Sequence, residues 1–272
     1  MKAETQVTGM LSSILSAAAA RVAALAPRRN ELERLAARAP APPSFRAALG
    51  RADVAIIAEV KRRSPSAGTI RADADAADLA RVYAASGAAA ISVLTEPTRF
   101  AGSLDDLARA AAAVALPVLR KDFIVDAIQL YEARAAGAAA VLLIVRALGA
   151  EQLGALARAA RAIGLETLIE VHGAGEVETA LAAGPDAVGV NARDLETLTM
   201  DPAGAEALLA EVPARLAAVA ESGIAGRADV ERLASRGADA VLVGTALAGA
   251  ADPARALAAL VGVGRRGRGG DR

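Results

Sequence analysis

Four near-copies of one phrase punctuate the chain: GAAAISV at Gly87–Val93, GAAAVLL at Gly137–Leu143, GPDAVGV at Gly184–Val190 and GADAVLV at Gly237–Val243. Each opens on a glycine that follows an Ala/Leu/Arg helical pattern, where a left-handed cap residue is expected, and then runs into an apolar stretch. Gly164 precedes such a stretch as well. Working outward, eight segments read as strands: 54–60, 89–95, 116–122, 139–145, 165–171, 186–192, 216–223 and 239–245. Their starts lie 21 to 35 residues apart, room for one crossover helix each, so the strands are parallel. They are continuously apolar rather than alternating, as strands buried on both faces should be. Eight such units in about 220 residues predict an α/β protein with the (β/α)8 TIM barrel architecture. An open doubly wound sheet commonly has fewer strands and a Gly-rich fingerprint after the first; KRRSPSAG (61–68) stands there instead.

Composition narrows the function. The 272 residues carry 31 basic and 31 acidic side chains, which argues against a sequence-independent nucleic-acid binder. There is no cysteine and a single histidine, so neither a disulfide nor a Cys- or His-rich metal site is available, and the cysteine count fits a cytoplasmic protein. Apolar runs such as Gly137–Val145 fall short of the roughly 20 residues that cross a membrane. Met10–Ala26 superficially resembles a signal peptide, but Glu4 sits in the would-be basic region before it, Arg21 interrupts it, and Leu11, Ile14, Leu15, Ala18, Val22 and Leu25 follow helical spacing. Residues 1–50 are therefore expected as a helical extension capping one end of a barrel at 51–262. The Gly/Arg-rich residues 263–272 are expected as a solvated, disordered tail.

In this architecture chemistry gathers where strands end. Glu59 and Lys61 end the first strand on one face; Thr95 and Glu96 end the second, Lys121 and Asp122 the third. Glu170 ends the fifth, Asn191 and Arg193 the sixth, Glu221 and Ser222 the seventh, Gly244 and Thr245 the eighth. Charge inside apolar runs is costly unless paired or functional, so either a catalytic mouth or a ring of structural ion pairs such as Glu59–Lys61 is expected. Gly223, Gly244 and Thr245 sit in the loops after the last two strands, the usual phosphate position. His172 reads as a solvated loop residue.

The phrases IIAEVKRRSPSAG (56–68), ISVLTEPTRFAGS (91–103), PVLRKDFIVDAIQLYEARAAGA (117–138), LIEVH (168–172), GVNARDLETL (189–198), AESGI (220–224) and LVGTAL (242–247) resemble the indole-3-glycerol phosphate synthase family of tryptophan biosynthesis. The resemblance runs from about residue 45 to 260. It departs at Ala192, where the family usually has Asn or Ser and which nothing in the sequence explains, and at Thr245, where Ser or Glu is common and the hydroxyl is kept. It implies ring closure, decarboxylation and dehydration of 1-(2-carboxyphenylamino)-1-deoxyribulose 5-phosphate, with no metal or organic cofactor. It implies Lys121 as general acid, with Lys61, Glu59 and Glu170 as candidates for the dehydration: Glu170 orients or activates the anilino nitrogen, and Lys61 either contacts the substrate carboxylate or serves as the acid. It also implies Asn191, Arg193, Glu221 and Ser222 on substrate polar groups, Phe100 and Phe123 around the anthranilate ring, and Ser64, Gly223, Gly244 and Thr245 on the phosphate. The extension then folds over the barrel mouth. The partner is a small-molecule substrate, with no nucleic acid or membrane, and a monomer is expected. Two rivals remain: another phosphate-binding barrel isomerase or epimerase, against which the Glu59–Ser66 run speaks, and a non-catalytic sugar-phosphate-binding barrel, against which Lys61, Lys121 and Glu170 together speak.

Overall fold

The computed structural model describes residues 9–268; Glu4 and the last four residues of the expected tail lie outside them. Eight strands form one closed parallel barrel: β1 Ala55–Val60, β2 Ala90–Leu94, β3 Val118–Lys121, β4 Ala140–Ile144, β5 Glu166–Val171, β6 Ala187–Asn191, β7 Ala217–Glu221 and β8 Ala240–Val243. Each pairs with the next, and β8 closes on β1 with Ala55 opposite Ala240. The five glycines expected as helix terminators, Gly87, Gly137, Gly164, Gly184 and Gly237, all have positive φ.

Period two sorts each strand into two faces. Ile56, Ala58 and Val60 of β1 pack outward against the helices, in one large apolar cluster with Val141, Leu143 and Ile169. Ala55, Ile57, Leu119, Leu142, Leu168, Val219 and Leu242 fill the barrel interior. Two residues further along β1, β3, β5 and β7 stand Glu59, Lys121, Glu170 and Glu221, and Asn191 ends β6. The top layer of the interior is therefore the polar one.

The extension covers both ends of the barrel, not one. Helix α1 (Met10–Leu25) buries Leu11, Ile14 and Ala18 against the top interior cluster, while α2 (Arg29–Arg38) descends the outside and buries Leu32 and Ala36. Helix α3 (Phe45–Leu49) plugs the base with Phe45 and Leu49, both fully buried. Ser44 caps α3 and donates to Glu166 at the start of β5 (2.7 Å). By length and composition the helical stretch Met10–Arg38 would suffice to cross a bilayer, a feature a search for unbroken apolar runs overlooks because Arg21 and Arg28 interrupt it. Here those residues have other work: Arg21 forks onto the buried carboxylate of Asp122 at 2.8 and 3.1 Å.

The tail expected to be solvated is docked as far as Arg268. Val263 accepts from the Val54 N–H at 2.8 Å and Gly264 bridges to Asp53. Arg265 and Arg268 both pair with buried Asp239 at the start of β8. Two guanidinium groups against one buried carboxylate hold a segment that has no apolar pattern to do so.

Candidate active site

All fourteen residues singled out as site candidates line a single cavity at the top of the barrel. At its floor the Lys121 ammonium is in direct contact with Glu221 and lies 3.6 Å from Glu170 Oε2. Burial alone would pull the Lys121 pKa down, but the carboxylates of Glu221, Glu170 and Glu59 outweigh it and hold it above the ordinary lysine range. Glu221 is pushed the other way, up to about 7, by burial and by the neighbouring Glu170 and Glu59, against the pull of Lys121. Beside them Lys61 Nζ sits 2.8 Å from Glu59 Oε1, so the structural ion pair expected from the sequence is present and faces the same cavity.

Two glycines make room for these carboxylates. A Cβ on Gly189 of β6 would land on Glu221 Oε1, and one on Gly244 would land on Glu59 Oε1 and 3.1 Å from Lys61 Nζ. Only a residue without a side chain lets these acids stand upright in the top layer.

One wall is a hydrogen-bonded corner. Asn191 Oδ1 accepts from Ser222 Oγ (2.8 Å) and from the Arg193 N–H (3.0 Å), and Arg193 Nη1 donates to the Leu198 carbonyl at 3.0 Å. Ser222 and Gly223 both have positive φ, which turns the loop after β7 sharply into the cavity. Thr245 begins a short helix, Thr245–Ala248, directly after β8, and Ser64 Oγ accepts from the Ala67 N–H at 3.1 Å in a hairpin that lines the same side. Opposite stand Phe100 and Phe123, with Leu94, Leu142 and Ile144 between. The third phenylalanine, Phe45, belongs to the base plug. The cavity thus has an apolar slot, a floor of paired charges, and a rim of hydroxyl and backbone donors.

The family model for indole-3-glycerol phosphate synthase matches residues 11–260. The chain belongs to the indole-3-glycerol phosphate synthase family. It is 47% identical over 264 residues to an indole-3-glycerol phosphate synthase of Mycolicibacterium vanbaalenii, covering 97% of this chain and 96% of that one. It is 51% identical to indole-3-glycerol phosphate synthase 1 of Streptomyces coelicolor, covering 86% and 87%. Among solved structures it is similar in fold to 3-hexulose-6-phosphate synthase from Salmonella typhimurium, with TM-score 0.62, 19% identity, and 76% of this chain and 96% of that chain covered.

Within this indole-3-glycerol phosphate synthase family member, several residues sit elsewhere than their sequence suggests. His172 is not solvated: its side chain is only 2% exposed, tucked between Glu170 and Glu176. Asp122 touches the cavity wall, but its carboxylate turns away from Lys121 to Arg21, Arg120 and Thr95. Adjacent strand residues point to opposite faces, so Lys121 inward fixes Asp122 outward. Glu96 caps the short helix Pro97–Phe100, accepting from the N–H groups of Thr98, Arg99 and Phe100. Ala192 has its methyl buried in the outer apolar cluster, and its N–H donates to the Glu221 carbonyl at 3.1 Å. Sequence reasoning missed Met10, Leu195 and Leu198 as cavity walls. Leu142 and Ile144 were findable, because counting in twos along β4 places both inside the barrel.

Proposed function

We propose that this protein converts 1-(2-carboxyphenylamino)-1-deoxyribulose 5-phosphate to indole-3-glycerol phosphate. The observation that carries the reading is the floor of the cavity, where one lysine held protonated by carboxylates stands beside a second lysine–glutamate pair. In the first step the ring carbon bearing the carboxylate attacks the ketone carbon and the C–O π electrons move to oxygen. Lys121 donates its proton to that oxygen; an alkoxide is more basic than an amine even when the amine's pKa is raised. Loss of carbon dioxide returns its bonding pair to the ring. Lys61, steadied by Glu59, then protonates the departing hydroxyl, and Glu170 takes the remaining proton to leave the indole. Phe100 and Phe123 hold the aromatic ring. Asn191, Arg193 and Ser222 meet the polyol and carboxylate, and Ser64, Gly223, Gly244 and Thr245 receive the phosphate at the start of the short helix.

The test is indole fluorescence on mixing with this substrate, with Lys121→Ala alongside. The chain has no tryptophan, so the background is low. Turnover in the wild type and its loss in Lys121→Ala is the expected result. Binding without turnover in the wild type would leave a sugar-phosphate-binding barrel and remove the enzyme.

A further inference from the structure

His172 follows β5 by one residue and lies two positions beyond Glu170, on the same face of the strand. Its Nε2 is 3.3 Å from Glu170 Oε1 and its Nδ1 is 3.7 Å from Glu176 Oε2. Among the described residues neither ring nitrogen nor Glu170 Oε1 completes a hydrogen bond, although all three atoms are buried. Buried polar atoms of this kind are uncommon and ask for a partner, and here the two missing partners face each other. A small rotation of the imidazole closes the bond. The main chain is fixed for it, because the His172 N–H donates to Glu176 Oε2 at 2.7 Å and Glu176 is held in turn by Arg146 at 3.0 Å.

We infer that His172 is a positioning residue: its Nε2–H is donated to Glu170 Oε1, fixing the rotamer of that carboxylate while Oε2 faces Lys121. The groups around this pair are charged on both sides. Lys121, Glu221 and Glu59 face Glu170 from β3, β7 and the end of β1. On the far side stand Glu176, Arg146 and, through Arg146, Asp194 on the loop after β6. Without a donor on Oε1, the Glu170 carboxylate is held only through Oε2, 3.6 Å from Lys121, and is free to turn about its side-chain bonds. A base needs the opposite. His172 supplies that donor from outside the cavity, without touching the substrate.

This rests on Glu170 acting as the base in the proposed reaction, and the experiment separates the two. His172 is the only histidine in the chain, so its ring gives the sole imidazole signals in a ¹⁵N–¹H spectrum and needs no assignment. The wild type should show the Nε2–H tautomer with a downfield ring proton that moves upfield in Glu170→Ala. In steady-state kinetics, His172→Ala should lose about tenfold in kcat, the size of one hydrogen bond to a charged group. KM should stay at the wild-type value, because His172 does not line the cavity. His172→Gln restores an N–H near the Nε2 position and should restore kcat. Circular dichroism and melting temperature, read on both variants, identify simple misfolding. An Nδ1–H tautomer, a wild-type kcat in folded His172→Ala, or a glutamine variant no better than alanine would each overturn the inference. If Glu170→Gln keeps full turnover, the base assignment itself is wrong and the inference goes with it. A dead Glu170→Gln beside an unaffected His172→Ala refutes the inference alone.

Discussion

Removing the Arg21 guanidinium should unfasten the roof of the active site. Arg21 makes two hydrogen bonds to Asp122, at 3.1 and 2.8 Å, and its side chain is 28% exposed while that of Asp122 is fully buried. Bonds to charged groups contribute about 1.5–3 kcal/mol each before compensation. In Arg21→Ala, Asp122 keeps Arg120 at 3.0 Å, Thr95 at 2.7 Å and the Phe123 N–H at 2.8 Å, so no bare charge is left behind. The net loss is therefore about 2 kcal/mol, read as a melting temperature lower by about 4–8 °C. Asp122→Ala should cost more, about 3 kcal/mol, because it takes a carboxylate from both Arg21 and the buried Arg120, which keeps Glu132 and the Gln129 carbonyl at 2.8 Å. Burial raises the Asp122 pKa, but Arg120, Arg21 and Thr95 outweigh it and hold it below the usual carboxylate range. Stability from such a lowered group is complete above its unfolded pKa of about 3.9 and is lost as pH falls toward the folded value. The gap between wild type and Arg21→Ala should thus stay flat from pH 8 to about 4 and close below that. Helix α1 also brings Met10 to the cavity wall, so KM should rise in the variant. A melting temperature within about 1 °C of wild type and an unchanged KM would show that Leu11 and Ile14 hold the helix unaided.

Gly189→Ala puts a methyl group where the Glu221 carboxylate stands, and should lower kcat by about 100-fold for a stability loss of only about 1–3 kcal/mol, checked by steady-state kinetics and urea unfolding. Phe45→Ala empties the base plug and should cost about 3–5 kcal/mol in urea unfolding, while kcat/KM of the remaining folded enzyme stays at the wild-type value. Arg268→Ala removes one of two guanidinium groups on Asp239 and should cost about 1–2 kcal/mol with no kinetic effect, measured by thermal melting beside turnover.

The barrel was legible because its signals are local. A glycine cap and a β-branched run sit next to each other in sequence, and strands buried on both faces cannot disguise themselves as amphipathic ones. The floor was legible for the same reason: Glu59, Lys121, Glu170 and Glu221 interrupt apolar runs, and interruption is visible in one dimension. What escaped depends on partners far along the chain. Arg265 and Arg268 read as solvated charge because nothing near them announces Asp239, more than twenty residues upstream on a buried strand. His172 is a different case: Glu170 and Glu176 lie only two and four residues away, and it read as a loop residue because the turn from β5 into the next helix, which closes both carboxylates around one ring, is not visible in sequence. Asp122 is the instructive case. It stands beside Lys121 in sequence and invites the same role, yet the alternation of the strand already sends it to the outer face, where Arg120 and α1 meet it.

The floor also has a cost that can be measured. Three buried carboxylates, Glu59, Glu170 and Glu221, share two ammonium groups, Lys61 and Lys121. The strain falls on Glu221, whose pKa is pushed by burial first from 4.5 to about 7. A group with a raised folded pKa favours the folded state below its unfolded pKa, and that contribution is lost as pH rises through the folded value. Between about pH 4.5 and 7 the folded chain holds a proton that the unfolded chain has released, which at 1.36 kcal/mol per pKa unit amounts to at most about 3 kcal/mol surrendered by pH 8. Glu221→Gln keeps the shape and removes the charge. It weakens the hold on Lys121, which retains Glu170 at 3.6 Å, so the net gain at pH 8 should be about 1 kcal/mol. Lys121 then loses the first of the carboxylates that raise its pKa, and turnover should fall by at least tenfold. A more stable, less active variant is the signature of a site held against its own electrostatics for the sake of chemistry. If Glu221→Gln is less stable than wild type at pH 8 in urea unfolding, the Lys121–Glu221 pair is structural cement, and the charge imbalance is not what the fold is paying for.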